Sequence, residues 1–375
     1  MGDRMVTRGH FFDFNIKYLF YVGLWPSNEA KRIEKIAYKI YEYQLHVLSL
    51  IFLVTTGIGT YKNHKDIIAL LTNLDKTLVA YNFVFKVIVF VYKREELRKL
   101  IEQIVQSGDQ ITEDRKALMA KLVIVLTGIS TVIITAFSCL ALFEGEMTID
   151  AWMPFDPMKS KMNLFAASQI LAATFVVPCG YRAFAMLGIV CSLILYLRDQ
   201  LVDLQNKIRD LRFATGNVEK LRDDFKLIVK KHVRLLGYSK VIEMIFKEYF
   251  FIQNMAVTAE LCLNAMMVSV VGLEQKTLAA SFLAFLSVAL LNAYIYCYLG
   301  NELIVQSEGI AMAAYESSWI LWPVDMQKDL LIVITAAQKP MKLSAGGMAV
   351  LSVQTYSQTL YNGYSIFAVL NDIVN

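Results

Sequence analysis

Long apolar runs alternate with polar segments along the whole chain, and this pattern predicts its secondary structure. A helix needs about 20 mostly apolar residues to cross a bilayer. The runs are too long and alternate too little to be the strands of a membrane barrel, so the spans should be helices. The sequence therefore predicts an all-α membrane protein with seven transmembrane helices, at about residues 40–61, 66–92, 122–143, 164–197, 249–272, 278 onward and 347–374.

Composition agrees with this pattern. Of the 375 residues, 56% are hydrophobic and 12% are aromatic, and the mean hydropathy is +0.46. All five cysteines fall within apolar runs, so we expect them to be small buried side chains rather than a disulfide framework. They are Cys139, Cys179, Cys191, Cys262 and Cys297.

The distribution of Lys and Arg predicts the orientation of the spans. The segments before the first span, after the second, after the fourth and around the end of the sixth hold twenty-nine of these residues, whereas the opposite loops hold five. The positive-inside rule then places the N-terminus and the long loops in the cytoplasm. With seven spans, the C-terminus is extracellular.

Two features of the polar segments refine this picture. The aromatic-rich segment 1–35 is typical of a chain that lies against the membrane interface. Segment 197–247 keeps apolar residues at helical spacing, for example Leu201, Leu204 and Ile208. It should form helices that project from the membrane and pack together.

The last helix is apolar but carries Ser, Thr, Gln, Asn and Tyr, which suggests one apolar face and one hydrated face. Such a helix is suited to lining a conduit. Phe367 and Leu370 could form a hydrophobic constriction, with water and cations meeting the polar side chains. The predicted pore residues are Gln358, Tyr364, Phe367, Leu370 and Asn371.

Other classes of membrane protein fit less well. A G-protein-coupled receptor would have its N-terminus outside, and the chain has neither an Asp-Arg-Tyr triplet at the expected place nor an Asn-Pro-x-x-Tyr motif. A transporter would show broken helices in two related halves. The four histidines are scattered, without metal-ligand spacing, and HExxH and Gly-x-Ser-x-Gly are absent. We therefore expect no catalytic residues, no metal site and no cofactor.

The C-terminal eighty residues resemble the insect odorant receptor family. Span number, the inverted topology and the long segment between the fourth and fifth spans agree with that family over the rest of the chain. The match is carried by Cys297, Gly300, Asn301, Ser307, Ala314, Tyr315, Trp319, Gln338, Pro340, Leu343, Ala345, Gly346, Leu351, Ser352, Tyr364, Ser365, Val369 and Leu370.

The resemblance implies an odorant-gated, non-selective cation channel in the plasma membrane of olfactory sensory neuron dendrites. Because the chain lacks the long insertion of the shared co-receptor, it resembles an odorant-tuning subunit that assembles with co-receptor subunits, as a hetero-oligomer and expected tetramer. The implied partners are the co-receptor, a small volatile odorant and membrane lipid, and not nucleic acid. The alternative is a seven-span chemoreceptor that signals through a G protein.

The family also implies a domain plan and a ligand pocket. Residues 1–375 would form one domain, with cytoplasmic anchor parts at 93–121, 197–247 and 298–346 and a pore helix at 347–374. A mostly aromatic pocket for a small, flat, largely apolar volatile would lie among the outer halves of the second, third, fourth and sixth spans. Its predicted residues are Leu78, Tyr81, Phe85, Ser130, Ile133, Phe137, Gln169, Phe175, Leu291 and Tyr294.

Charged residues inside the second span need a separate explanation. We expect Lys86 to extend toward the cytoplasmic interface and Asp75 to face the outer vestibule, because isolated charges are costly in lipid.

Overall fold

A computed structural model describes residues 11–28, 30–109, 149–212, 218–271 and 276–374, together with scattered positions between 111 and 147. Within these residues the chain is almost entirely helical. The helices are α1 (Asp13–Tyr21), α2 (Arg32–Lys62), α3 (Ile67–Gln106), α4 (Lys161–Phe175), α5 (Arg182–Arg209), α6 (Val218–Val271), α7 (Lys276–Glu316), α8 (Val324–Ala337) and α9 (Val353–Val374).

Short elements join some of these helices. A π-helical turn, Val176–Tyr181, connects α4 to α5, and 3-10 turns lie at Pro157–Lys159 and Trp319–Leu321. Two short antiparallel strands, β1 (Ser344–Ala345) and β2 (Ala349–Val350), form a hairpin before α9.

The all-α prediction is confirmed, and most predicted spans coincide with observed helices. Among the described residues, three stretches are long and apolar enough to cross a membrane: Arg32–Lys62, Lys161–Arg209 and Leu286–Glu316. Most of the predicted third span, 122–143, lies outside the described residues, and the orientation of the bundle stays a prediction.

Several helix ends differ from the predicted span ends, and two of these differences have a clear cause in the sequence. The fifth span is the end of α6, a single helix of 54 residues that starts at Val218, because no proline interrupts it. The last helix begins at Val353 rather than near 347. Gly346 and Gly347 have φ of 64° and 75°, which glycine tolerates and a helix does not, and they turn the hairpin instead.

The fold is organised around α5. Every residue from Arg182 to Leu197 is buried, and the helix contacts α1, α3, α6 and α7. The largest apolar core continues from α5 into the C-terminal half of α3, most of α6, the second half of α7, and α8. Cys179, Cys191, Cys262 and Cys297 are free and buried, as expected, and Cys139 lies outside the described residues.

The N-terminal helix α1 packs against α5. Leu19 is fully buried, and Asn15 Nδ2 donates to Ser192 Oγ over 2.7 Å. A Cβ at Gly188 would lie 2.6 Å from Asn15 Oδ1, so glycine makes this close approach possible. One side of the segment predicted for the membrane interface is therefore part of the protein core.

Asp109, just after α3, joins three helices. Its carboxylate accepts hydrogen bonds from Arg234 at 2.8 Å on α6 and from Tyr196 at 2.7 Å on α5. Burial by itself raises the pKa of the Asp109 carboxyl, but the Tyr196 hydroxyl and the charges of Lys231 and Arg234 hold that pKa below its usual value. Asp109 is therefore an ionised anchor for this part of the core.

Candidate functional site

One face of the terminal helix α9 packs against α6. Thr359 Oγ1 donates to Asn254 Oδ1 over 2.8 Å, and one turn later a Cβ at Gly363 would lie only 2.7 Å from Leu261 Cβ. Phe367, another turn on, packs against an apolar cluster that includes Met266 and Met267 of α6. Positions 359, 363 and 367 follow a spacing of four, so they form the packed face of α9.

A different face of α9 is polar and exposed. Gln354, Gln358 and Tyr361 lie at steps of four and three, Asn362 lies four residues after Gln358, and all four are exposed. Gln358 Nε2 donates to Asn362 Oδ1 over 2.8 Å. A row of amides and a phenol on a membrane helix is costly against lipid, so this face requires water or a polar partner.

The predicted pore residues divide between these faces. Gln358 lies on the polar face, and Tyr364 beside it is 65% exposed. Phe367 instead belongs to the packed face, with its ring 6.0 Å from that of Tyr364. The side chains of Leu370 and Asn371 lie outside the described residues. The sequence reasoning missed Gln354, Tyr361 and Asn362, although their helical spacing and polarity were visible in the sequence.

An aromatic cluster lies where α2, α3 and α4 meet. The ring of Phe175 is 5.2 Å from that of Phe52 and 6.5 Å from that of Phe83. Tyr81 Oη donates to the Leu53 carbonyl over 3.2 Å. Apolar rings with one hydroxyl at the margin suit a small aromatic ligand with a single hydrogen-bonding group.

The π-helical turn begins directly after Phe175. Such turns insert an extra residue into a helix and often occur at functional sites. Pro178, which cannot donate a backbone hydrogen bond, lies within the turn, and its carbonyl accepts from Ser49 Oγ over 3.2 Å. The turn therefore interrupts the regular α-helical hydrogen bonding of the span beside the aromatic cluster.

The structure brings together only part of the predicted pocket. Tyr81 and Phe175 both lie against the Phe52–Leu53 turn of α2, and Leu78 is half-buried. Phe85 is 53% exposed, Leu291 is 45% exposed and Gln169 is also exposed, so they do not join the cluster.

The remaining predicted pocket residues lie elsewhere. Tyr294 stacks on Tyr298 at 5.9 Å and meets the edge of Tyr356, so it connects α7 to the segment carrying α9. Ser130, Ile133 and Phe137 lie outside the described residues.

The loop before α4 is fixed to the C-terminal end of α2 and the N-terminal end of α3. Asn73 and Asp150 exchange two hydrogen bonds, Asn73 Nδ2 to the Asp150 carbonyl at 2.9 Å and the Asp150 N–H to Asn73 Oδ1 at 2.8 Å. Trp152 N donates to the Thr55 carbonyl over 2.8 Å. A Cβ at Gly59 would lie 2.1 Å from the Asp150 carbonyl oxygen, so only glycine lets the loop lie this close. We call this set, Thr55, Gly59, Asn73, Asp150 and Trp152, the loop clamp.

The clamped loop also covers the aromatic cluster. Four alternating apolar residues, Met147, Ile149, Ala151 and Met153, pack on Phe52, Ala80 and Leu171. Sequence reasoning missed this contact. Its signal was the apolar residue at every second position of MTIDAWM, with Thr148 and Asp150 between the first three, which is typical of an extended segment with one buried side.

The charged residues of α3 are buried, so the expectation for them was wrong. Lys86 and Asp75 are each 1% exposed. Lys86 Nζ donates to Gln253 Oε1 and lies 4.7 Å from the centre of the Tyr249 ring. Asp75 Oδ1 accepts from Asn264 Nδ2 over 2.7 Å. Periodicity could not identify these partners, because they come from α6, 167 and 189 residues further along the chain.

Among the residues that the structure describes, no group of three or more His, Cys, Asp or Glu side chains is placed to hold a metal ion.

The fold and its long apolar helices together define a multi-pass helical membrane protein. The model of the family described as 7tm Odorant receptor matches residues 66–364. The chain therefore belongs to the 7tm odorant receptor family, as its C-terminal residues predicted.

Individual relatives are more distant. Odorant receptor 30a of Drosophila melanogaster is 27% identical over 170 residues, which are 45% of this chain and 44% of that receptor. Odorant receptor 10 of Aedes albopictus is 22% identical over 204 residues, which are 54% of this chain and 53% of that receptor. The chain thus spans about half the length of the curated relatives that it matches.

The fold is shared with solved structures. The insect olfactory receptor OR5 from Machilis hrabei in complex with eugenol matches 99% of this chain and 100% of its own, with a TM-score of 0.79 and 17% identity. A second structure of OR5 covers 95% of this chain and 96% of its own, with a TM-score of 0.73 and 17% identity. These matches support the seven-helix membrane fold.

Proposed function

We propose that this protein is an odorant-tuning subunit of a ligand-gated, non-selective cation channel, opened by a small volatile odorant. The observation that carries the proposal is the two-sided character of α9. Thr359 and Gly363 hold one face against α6, and Gln354, Gln358 and Tyr361 present amides and a phenol on another. Copies of such a helix around a central axis would give a hydrated pore.

The polar face of α9 is the proposed pore lining. Gln358 and Tyr364 belong to it or border it, Leu370 and Asn371 would extend it toward the C-terminus, and Phe367 would reach it only if α9 rotates.

The ligand site that we propose centres on Tyr81 and Phe175. Phe52 and Phe83 add aromatic surface, and the clamped loop adds Met147, Ile149, Ala151 and Met153 as a cover. The predicted pocket residues that the structure leaves apart would meet ligand only at the edge of this site. A small, flat volatile with one hydrogen-bonding group fits this lining. The complex of OR5 from Machilis hrabei with eugenol supports this ligand class.

Co-receptor subunits are the partners that we propose, in a hetero-oligomer and expected tetramer. The proposed anchor parts are 93–121, 197–247 and 298–346. They include large apolar side chains that are exposed in the single chain. Leu331 is 62% exposed, Ile332 is 67% exposed and Ile320 is 73% exposed. Apolar side chains grouped on an aqueous surface mark a protein contact.

A groove of about 780 Å³ between α6 and α8 adds to this surface. Its walls include Leu236 and Met341, and Lys240, Lys339 and Lys342 line it. Glu243, which also lines it, is occupied by Ser344, whose N–H and hydroxyl both donate to that carboxylate. An acidic surface on the neighbouring subunit would complement this groove.

Ligand binding would reach the pore through α6. This helix bonds to α3 through Gln253 and Asn264 and to α9 through Asn254. A movement of α3 at Tyr81 would therefore be transmitted to α9 by one helix. Opening requires that the odorant bind the open state more tightly than the closed state.

Cysteine accessibility tests the pore directly. We would express the chain with an odorant co-receptor at the plasma membrane, its expected location in olfactory sensory neuron dendrites, and screen a panel of volatiles for evoked current. Gln358→Cys, on the polar face, should lose current when a charged thiol reagent is applied with the odorant. Thr359→Cys, its neighbour on the packed face, should not.

Two results would overturn the proposal. One is equal insensitivity of both cysteine variants at normal surface expression. The other is current that disappears under G-protein blockade, which would favour the alternative, a chemoreceptor that signals through a G protein.

A further inference from the structure

The N-terminal turns of α2 project beyond the length of helix that a bilayer needs. The helix has 31 residues. At about 1.5 Å per residue it is about 46 Å long, whereas the hydrocarbon core of a bilayer is about 30 Å thick. Every residue from Arg32 to Ala37 is exposed in the described structure. These turns therefore contribute little to the core of the helix bundle.

Charge is sorted around these turns. Arg32, Lys35 and Lys39 follow a spacing of three and four, so they share one face of α2. The acidic residue of the same turns, Glu34, lies off that face and accepts a hydrogen bond from the Lys31 backbone N–H over 3.0 Å. Among the described residues, no carboxylate forms an ion pair with the three cations. The basic face is therefore available to an anion from outside the chain.

An apolar strip lies beside the basic face. Ile33, Ile36 and Ile40 have the same spacing of three and four, and all three are exposed. The protein contacts the other side of α2, where the ring of Tyr38 stacks on that of Phe20 of α1 with their centres 5.0 Å apart. A helix surface that combines a basic face with an apolar strip is typical of contact with a membrane surface.

Hydrogen bonds show that the neighbouring ends of α1, α2 and α3 lie at one height. Arg94 Nη1 of α3 donates to Glu42 Oε1 of α2 over 2.8 Å. Tyr41 Oη of α2 donates to the carbonyl of Tyr21, the last residue of α1, over 2.8 Å. Exposed tyrosine rings gather at this height. We call them the tyrosine belt: Tyr21, Tyr41, Tyr43 and Tyr92.

The tyrosine belt marks the height of a membrane interface, because exposed tyrosines concentrate where headgroups meet hydrocarbon. Lys39 is about 6 Å of helix before Tyr43, and Lys35 is about 6 Å further. The headgroup layer is about 5–8 Å thick on each side of a bilayer, and lysine side chains extend their charged ends toward it. The two ammonium groups therefore reach the lipid phosphates, and Arg32 lies at the aqueous edge of that layer.

We propose that the N-terminal turns of α2 bind the headgroup of an anionic phospholipid, of the phosphatidylserine type. Arg32, Lys35 and Lys39 contact its phosphate and carboxylate, and Ile36 and Ile40 pack on its glycerol and upper acyl carbons. Charge complementarity selects this partner, since a zwitterionic lipid carries no net charge to match three unpaired cations. In the predicted orientation of the chain this leaflet faces the cytoplasm, where anionic lipids are enriched.

Thermal unfolding of the purified full-length protein in mixed micelles tests this site without any channel activity. Phosphatidylserine replaces phosphatidylcholine stepwise at constant total lipid and ionic strength. A ligand that binds only the folded state raises the melting temperature with its concentration. We expect the melting temperature to rise with the phosphatidylserine fraction, and inorganic phosphate at the same concentration to leave it unchanged.

Variants locate the lipid. Lys35→Gln and Lys39→Gln should each raise the half-saturating phosphatidylserine fraction about fivefold, the factor expected for one basic residue near an anionic surface. Combined with Arg32→Gln, they should abolish the dependence on phosphatidylserine. Lys35→Arg with Lys39→Arg keeps both charges and should keep the dependence.

The matched control removes the same number of charges elsewhere. Lys220, Lys226 and Lys230 are exposed on α6. Even Lys230 lies about 28 Å of helix before residue 249, where the predicted fifth span begins, and this exceeds a Debye length of about 10 Å. Replacing all three by Gln should leave the phosphatidylserine dependence unchanged.

Three results would overturn the proposal. The first is an identical melting temperature of the unmodified protein in the two lipids, which does not depend on any variant. The second is an unchanged phosphatidylserine dependence in the combined α2 variant, which would place the lipid elsewhere. The third is an equal loss in the α6 control, which would mean a response to net charge rather than a site on α2.

Discussion

Substitution of Gly363 by alanine tests the contact between α9 and α6. The added Cβ would lie 2.7 Å from Leu261 Cβ and 3.1 Å from Leu261 Cδ1. Carbon atoms pack best at about 3.5–4.0 Å, so the two helices must separate locally by about 1 Å. Overpacking of this kind costs about 1–3 kcal/mol.

The direction of the effect follows from the two faces of α9. The proposed pore face lies away from α6, so separation moves α9 toward the pore axis and favours the closed state. A bias of about 1–3 kcal/mol changes a two-state equilibrium about 5- to 150-fold. We therefore expect Gly363→Ala to raise the half-maximal odorant concentration or reduce the maximal current by a factor in that range.

The assay is a dose–response recording from cells that express the variant with a co-receptor, using the volatile that gives the largest current in the panel. Gly237→Ala is the matched control, because Gly237 lies in helix α6 and a Cβ there would meet nothing within 4 Å. Gly363→Ala combined with Leu261→Gly, which removes the Cβ at 2.7 Å, should restore room and recover the response. Normal surface expression of Gly363→Ala with an unchanged dose–response curve would refute the reasoning.

The other predictions concern stability and the ligand site. Asn73→Leu should lower the melting temperature strongly, because the N–H and the carbonyl of Asp150 lose their partner and each buried unpaired group costs about 1–3 kcal/mol. Asn73→Asp, which keeps one acceptor, should lower it less. Equal melting temperatures of the two variants would contradict the loop clamp. Asp109→Asn should destabilise the purified protein by about 3 kcal/mol by leaving Arg234 without its carboxylate. Because the pKa of Asp109 is lowered in the folded state, the difference in melting temperature between Asp109→Asn and the unmodified protein should be constant near neutral pH and shrink as the pH falls through that pKa. A difference that appears only in acid would contradict this role of Asp109. Phe175→Ala should shift the odorant dose–response about tenfold or more with unchanged ion selectivity, and an unaltered ranking of the volatile panel would argue against the aromatic cluster as the ligand site.

Features set by local pattern were predictable from the sequence. Apolar runs identified the helices of the spans, and polar residues in the last helix indicated its two-sided character. The C-terminal residues around Gly300, Trp319 and Pro340 were sufficient to identify the family. Each of these signals lies within a few turns of one helix, where spacing determines which side chains share a face.

Features set by contacts between distant segments were not predictable. Asp75 and Lys86 share a face of α3, but nothing nearby in the sequence indicates that Asn264 and Gln253 cover them. Phe367 fits a face with Tyr364 by spacing alone, yet the packing of α9 on α6 turns it toward that helix. Tertiary packing decides which side of a helix is buried, and a single sequence does not contain that information.

The unbroken length of α6 has a mechanical consequence. Its 54 residues, at about 1.5 Å each, make a rod of about 81 Å, longer than any bilayer is thick. A tilt of about three degrees around one end displaces the other end by about 4 Å, by the geometry of a rigid rod of this length. A subunit contact that holds α6 near Val218 should therefore determine the resting position of the side chains at its other end, within the membrane. Subunit assembly and sensitivity to odour should then vary together, even when the two contacts are far apart.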